Sequence, residues 1–214
     1  MNPFLKDRPV LMAIVGAHGA LSAGRAIRGG ADVVLVRAKS LTARGLATLV
    51  REVIADVGTA KKVIVHSRPD IAELVGALGV HLAESGLDPR SVRGDFPALL
   101  VGVSRHDRTG LERALDEGAD YAILGPVFGT PGKEAHAMGI GAFASMVRGL
   151  ALPVLAVGGV TAETTASLVD GGARGIAGLR PFMDPQTASS SASSFRAALD
   201  DPLCRTRRPR DRDR

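Results

Sequence analysis

The sequence predicts an α/β fold closed into a compact single-domain (β/α)8 TIM barrel. Three observations carry that expectation: eight short apolar runs, segments of helical spacing between them, and about 27 residues per repeat, near the low end for such barrels. The runs are VLMAIVG (10–16), DVVLVR (32–37), KVIVHS (62–67), GVHLA (79–83), ALLVGVS (98–104), DYAILG (120–125), PVLAVGG (153–159) and RGIAGL (174–179). They are nearly continuous rather than alternating, as expected for parallel strands covered on both faces. A doubly wound open sheet is the rival arrangement of the same elements.

Helical spacing is clearest over 41–57, where Leu46, Leu49, Val50, Val53 and Val57 share a face. Further helices are predicted over 20–29, 69–77, 108–117, 139–149, 161–170 and 186–199, with only one or two turns over 88–95. Glycines mark where helices stop and strands begin: Gly29-Gly30-Ala31 before Asp32, Gly118-Ala119 before Asp120, and Gly171-Gly172-Ala173 before Arg174.

Composition narrows the function. The chain has 214 residues and is 45% hydrophobic and 23% charged, which fits a globular domain. It contains no apolar run long enough to span a bilayer, and its start, MNPFLKDRPV, lacks a signal-peptide core. Its single cysteine, Cys204, excludes an intramolecular disulfide, so the expected location is cytoplasmic. The formal charge of +5 is misleading, because residues 201–214 hold six Arg and three Asp and supply +3 of it. That leaves +2 for residues 1–200, the expected barrel. The Arg/Asp-rich tail at 201–214 has the composition of a disordered segment. With no Trp, one Tyr and six Phe, stacking platforms for nucleic acid are scarce, and neither a nucleic-acid nor a membrane partner is expected. Apolar residues on the outer helices would permit a homo-oligomer.

In such a barrel, chemistry belongs at the C-terminal strand ends. Those positions carry Arg37 and Lys39, then His66-Ser67-Arg68, His81 and Glu84, Ser104-Arg105-His106, Gly125 to Lys133, Gly158-Gly159, and Gly178-Leu179-Arg180. The glycines of the last two loops suit a phosphate cradle built from backbone N–H groups, although paired glycines also simply make tight turns. Only five of the 27 basic residues are lysines, and two of those, Lys39 and Lys133, fall in strand-end loops. The stretch GTPGK (129–133) is not a Walker A loop, since Val127 stands where its first glycine would be and Glu134 replaces the Ser/Thr. Of the other mouth residues, His81 has apolar flanks and reads as a core histidine, while Ser104 is placed either to donate to the substrate or to cap the following helix, the cap being the stronger reading. A Zn2+ site made from His66, His81, His106 and Glu84 has no supporting ligand spacing.

The runs VLVRAK (34–39), VIVHSRPDIAELVGALGVHLAE (63–84), GVSRH (102–106), GADYAILGPVFGTPGK (118–133) and PVLAVGGV (153–160) together resemble the thiamine phosphate synthase/TenI family. The resemblance spans about residues 10–183 and implies a TIM barrel that binds a small-molecule thiazole phosphate. It implies substrate or phosphate contacts for Arg37, Lys39, His66, Ser104, Thr130, Lys133, Gly158, Gly159, Gly178, Leu179 and Arg180, the last replacing a serine usual in the family.

The departures select between branches. Family synthases join a pyrimidine diphosphate to thiazole phosphate with Mg2+, held by an aspartate after strand three and another after strand four. Here those segments read His66-Ser67 and Ala83-Glu84-Ser85-Gly86, so both aspartates are missing, and Leu35 replaces a glutamine. Strand one also ends in IVGAHG rather than a polar pair. The TenI-like branch lacks the same aspartates and tautomerises a thiazole carboxylate phosphate by proton transfer, with no metal or cofactor. The resemblance assigns that transfer to His106, a ring that titrates near neutrality. The leading expectation is thus a metal-independent thiazole tautomerase. A Mg2+-dependent thiamine phosphate synthase is the alternative, and a non-catalytic phosphate-ligand sensor is a third reading.

Overall fold

The computed structural model describes residues 2–5, 8–17, 19–129 and 137–201. The predicted Thr130, Lys133 and nearly all of the 201–214 tail lie outside these. The chain alternates strands and helices in the order β1 (Val10–Val15), α1 (Ala20–Arg28), β2 (Val33–Val36), α2 (Ala43–Val57), β3 (Val63–His66), α3 (Pro69–Leu74), β4 (Gly79–Leu82) and α4 (Pro89–Asp95). It continues with β5 (Leu100–Arg105), α5 (Arg108–Asp116), β6 (Tyr121–Leu124), α6 (Gly139–Val147), β7 (Val154–Val157), α7 (Ala162–Asp170), β8 (Gly175–Gly178) and α8 (Pro185–Asp200). All eight strands are parallel to their neighbours, and β8 pairs with β1, so the sheet is a closed barrel and the open-sheet alternative is excluded. Every predicted element is present, most trimmed by a residue or two. No helix among the described residues is long and apolar enough to cross a membrane.

Strand pleat divides the core in two. Along β1, Val10, Met12 and Ile14 point into the barrel with Leu35, Ile64, Tyr121 and Leu155, while Leu11, Ala13 and Val15 face the helices. The helix-facing layer includes Leu46, Leu49, Val50 and Val53 of α2, each worth about 1.5–3 kcal/mol on full burial. Val57, predicted on the same face, sits at its half-buried end. Phe4, in a short 3-10 turn over Pro3–Leu5, closes the N-terminal end of the barrel and stacks on Tyr121 at 3.9 Å between ring centres.

One connection recurs four times. Each even-numbered strand follows a four-residue link, 29–32, 75–78, 117–120 or 171–174, whose second and third residues are Gly-Ala. In each, the alanine N–H bonds five residues back and the glycine N–H three back, the Schellman pattern (Ala31 to Ala26 and Gly30 to Ile27, for example). The four glycines have φ between +65° and +112°, a region that favours glycine. The alanine tucks under the barrel wall, and the fourth residue starts the next strand.

Two of those fourth residues are aspartates that lock adjacent strands. Asp32 accepts the Leu11 N–H at 2.9 Å, and Asp120 accepts the Val101 N–H at 2.8 Å. Asp120 also takes Arg93, while Asp32 takes Arg8 and the largely buried Arg196 of α8, whose other guanidinium nitrogen reaches the Pro9 carbonyl. Asp32→Ala would leave the Arg196 guanidinium with Asp200, 2.9 Å from its Nε, as its remaining carboxylate, and the Leu11 N–H without an acceptor. We expect a loss on the order of 3 kcal/mol, read as a fall in Tm of roughly 10 °C. A shift within 2 °C, roughly half a kcal/mol, would show that this pair does not carry the α8 attachment.

Candidate functional site

The C-terminal strand ends gather most of the predicted residues at one mouth. Arg37 and Lys39 follow β2 immediately, both exposed, and neither side chain has a hydrogen-bond or ion-pair partner among the described residues. His66 ends β3. Its Nδ1 is buried with no hydrogen-bond partner, and the same is true of Oγ of the next residue, Ser67. Ser67 has φ +55°, unusual for a residue with a side chain, and its N–H donates to the His81 carbonyl at 2.8 Å. Lys39, Leu41, His66, Ser67, Arg68 and Ala83 border a cavity of about 370 Å3 on this side of the mouth.

The opposite side is built by β4, β5 and β6. His106 follows β5 and is largely exposed. Its Nδ1–H donates to the Gly125 carbonyl at 2.5 Å, and its Nε2 lies 3.1 Å from Glu84 Oε2. A carbonyl oxygen can only accept, so Nδ1 carries a proton and Nε2 is the nitrogen free to exchange one with a neighbour. One strand earlier in depth, His81 is fully buried and bridges Ser104 and Tyr121, with Nε2 3.0 Å from Ser104 Oγ and Nδ1 3.1 Å from the Tyr121 hydroxyl. The His66 and His81 ring centres are 6.2 Å apart.

Two expectations at this mouth give way to the structure. Ser104 does not cap α5; that role belongs to Asp107, which directly precedes the first helical residue and accepts the Gly110 N–H at 2.7 Å. Arg105 is not a mouth residue. The strand pleat turns it outward beneath α5, where it donates to the Gly110 carbonyl at 3.1 Å. Tyr121 stands outside the predicted set: it lies on β6, 40 residues from His81, and only closure of the sheet brings its hydroxyl to that ring. In the last loops, Gly158 and Gly159 have φ of +95° and +61°, and a Cβ on either would collide with the Pro126–Gly129 segment. Packing alone therefore requires both glycines. Gly178 ends β8, with Leu179 and Arg180 exposed beyond it.

A sequence profile described as thiamine monophosphate synthase matches residues 12–182. The chain belongs to this family. Similar relatives include the thiamine-phosphate synthase of Methanoculleus marisnigri, 36% identical over 80% of this chain and 83% of the relative. That of Thermus thermophilus is 35% identical over 82% and 86%. Among solved structures, thiamine phosphate pyrophosphorylase from Pyrococcus furiosus superposes with a TM-score of 0.80, at 23% identity, over 91% of this chain and 96% of that one. That likeness establishes the shared barrel.

Electrostatics differ sharply within this family site. Burial, reinforced by the charges of Arg37 and Lys39, pushes His66 down to about 4. Burial, with smaller contributions from His66, Arg105 and Arg37, pushes His81 down to about 3. Both rings are neutral at pH 7. Folded-state values below the unfolded one mean that the stability tied to these neutral rings is complete above about pH 6.5 and is lost as pH falls through that value. The unfolding free energy should drop by about 2 kcal/mol for His81 between pH 7 and 5, with a smaller share from the partly exposed His66. Urea denaturation at several pH values measures this, and a flat profile over that window would contradict neutral buried rings.

Proposed function

We propose that the chain is a transferase of the thiamine-phosphate synthase type, joining a pyrimidine carried as its diphosphate to a phosphorylated thiazole at the barrel mouth. The observation that carries this reading is the family membership, with relatives named thiamine-phosphate synthase at 32–36% identity. Those names favour the synthase over the tautomerase expected from the missing aspartates. The site offers matching chemistry. As the bond between pyrimidine and diphosphate breaks, negative charge builds on the leaving group, and the unpaired Arg37 and Lys39 supply cations at that end of the mouth. The outer strand-end glycines and Arg180 are suited to the thiazole's phosphate.

The Mg2+ that family synthases use is not well provided for. The two aspartate positions hold Ser67 and Gly86, and Ser67 Oγ is buried beside cations that already depress His66. The mouth carboxylate Glu84 is engaged with His106, and no group of three metal-ligating side chains occurs among the described residues. These residues do not fit a carboxylate-held Mg2+, and no step is assigned to one.

A second reading is supported by the His106 geometry. A ring anchored at Nδ1, with Nε2 facing a carboxylate and the mouth, is suited to moving a proton between two carbons, which is what thiazole tautomerisation requires. One purified sample separates the two. Given pyrimidine diphosphate and thiazole phosphate in Mg2+ buffer, it should yield thiamine phosphate, and Arg37→Ala or Lys39→Ala should lower kcat/KM about 100-fold. Isomerisation of the thiazole carboxylate phosphate, abolished in His106→Ala and unaccompanied by condensation, would replace the transferase by the tautomerase. Silence in both assays would overturn both.

A further inference from the structure

Beneath the mouth runs a buried polar chain whose direction can be worked out from its donors. The Tyr121 ring is fully buried and lies across Gly102, where a Cβ would approach its ring atoms to 2.0 Å. Only a residue without a side chain lets the phenol cross from β6 towards β4. Its hydroxyl meets His81 Nδ1, and His81 Nε2 meets Ser104 Oγ. Among the described residues, His81 is the sole hydrogen-bond partner of the Tyr121 hydroxyl.

A neutral imidazole has one N–H. If Nδ1 held it, that proton would go to the Tyr121 oxygen, and the phenolic O–H would be buried with no acceptor. A buried donor left unmade costs about 1–3 kcal/mol. If Nε2 holds it, the phenol donates to Nδ1, Nε2–H donates to Ser104 Oγ, and every buried donor in the chain is satisfied. Ser104 then accepts from below, and its own proton is left to point away from His81. Ser104 is half-buried at the mouth end of β5, so that direction opens to the mouth.

We propose that Tyr121 and His81 are positioning residues that fix Ser104 as an outward hydrogen-bond donor to a phosphoryl oxygen of the substrate. The pair also prevents Ser104 from acting as a nucleophile activated by His81, because the nitrogen facing it already carries a proton. The substrate contact rests on the function proposed above, whereas the hydrogen-bond direction does not.

The experiment has two arms. In 15N-labelled wild-type protein at pH 7, the ring-nitrogen resonances of His81 report which nitrogen is protonated. Protonation at Nε2 is expected, and protonation at Nδ1 overturns the proposal whether or not the protein turns over any substrate. In the second arm, Tyr121→Phe keeps the stack on Phe4 and removes only the hydroxyl. It should shift His81 towards the Nδ1–H form and lower the kcat for condensation about tenfold, with KM changed less. In a Ser104→Ala background the same substitution should have no further effect on kcat. Equal losses in both backgrounds would mean that Tyr121 acts only as packing, and would overturn the positioning role. Absence of condensation in the wild type, with Nε2 protonated, would count against the proposed substrate alone.

Discussion

The position of Tyr121 constrains the whole barrel interior. Its ring must lie over Gly102 and on Phe4, and its hydroxyl must find an acceptor in a space otherwise lined by Met12, Leu35 and Ile64. Phe4 is secured in turn by Arg174, which donates to its carbonyl at 2.7 Å. A column therefore rises along the axis from an aromatic plug, through the phenol, to His81 and then Ser104. Apolar filling of the lower barrel supplies the burial, and the ordered polar step above it avoids an unpaired donor in that dry space. The mouth is thus tied to the N-terminal turn at the opposite end of the barrel.

The mouth itself is divided by charge. On the β2–β3 side, the free Lys39 and a neutral His66 border a cavity with two unpartnered polar atoms, an arrangement for an anionic group with a polar edge. On the β4–β6 side, His106 stands between a carbonyl and a carboxylate, an arrangement for handling a proton. The proposed condensation would draw on the first side most directly, and tautomerisation on the second. That one barrel mouth offers both explains why the missing aspartates and the family relatives point in different directions.

Most of the fold was legible because it is written locally. Continuous apolar runs, helical spacing and the glycine stops each depend on neighbours within a few residues, and all eight strands and eight helices follow from them. Even the brief helix over 88–95 forms, as α4, capped by Asp88. The site was only half legible. Strand-end placement put Arg37, Lys39, His66, Ser104 and His106 at the mouth, since that follows from topology. Their partners did not follow. Gly125, Glu84 and Tyr121 belong to other strands, and only the register of the closed sheet brings them to His106 and His81. Ser104 misread as a cap shows the same limit: local rules describe a serine before a helix, while the barrel interior had already engaged its oxygen.

The four Gly-Ala links ahead of the even strands have a consequence for how such a barrel can diverge. All four have the same length and the same pair of reverse-turn hydrogen bonds, so they act as fixed spacers at the closed end. The opposite connections vary, from short turns after β1 and β3 to the longer segment between β6 and α6. Sheet register is thereby set at one end, and loop sequence is free to change at the other. Substrate preference can be rewritten there without asking the strands to find new partners.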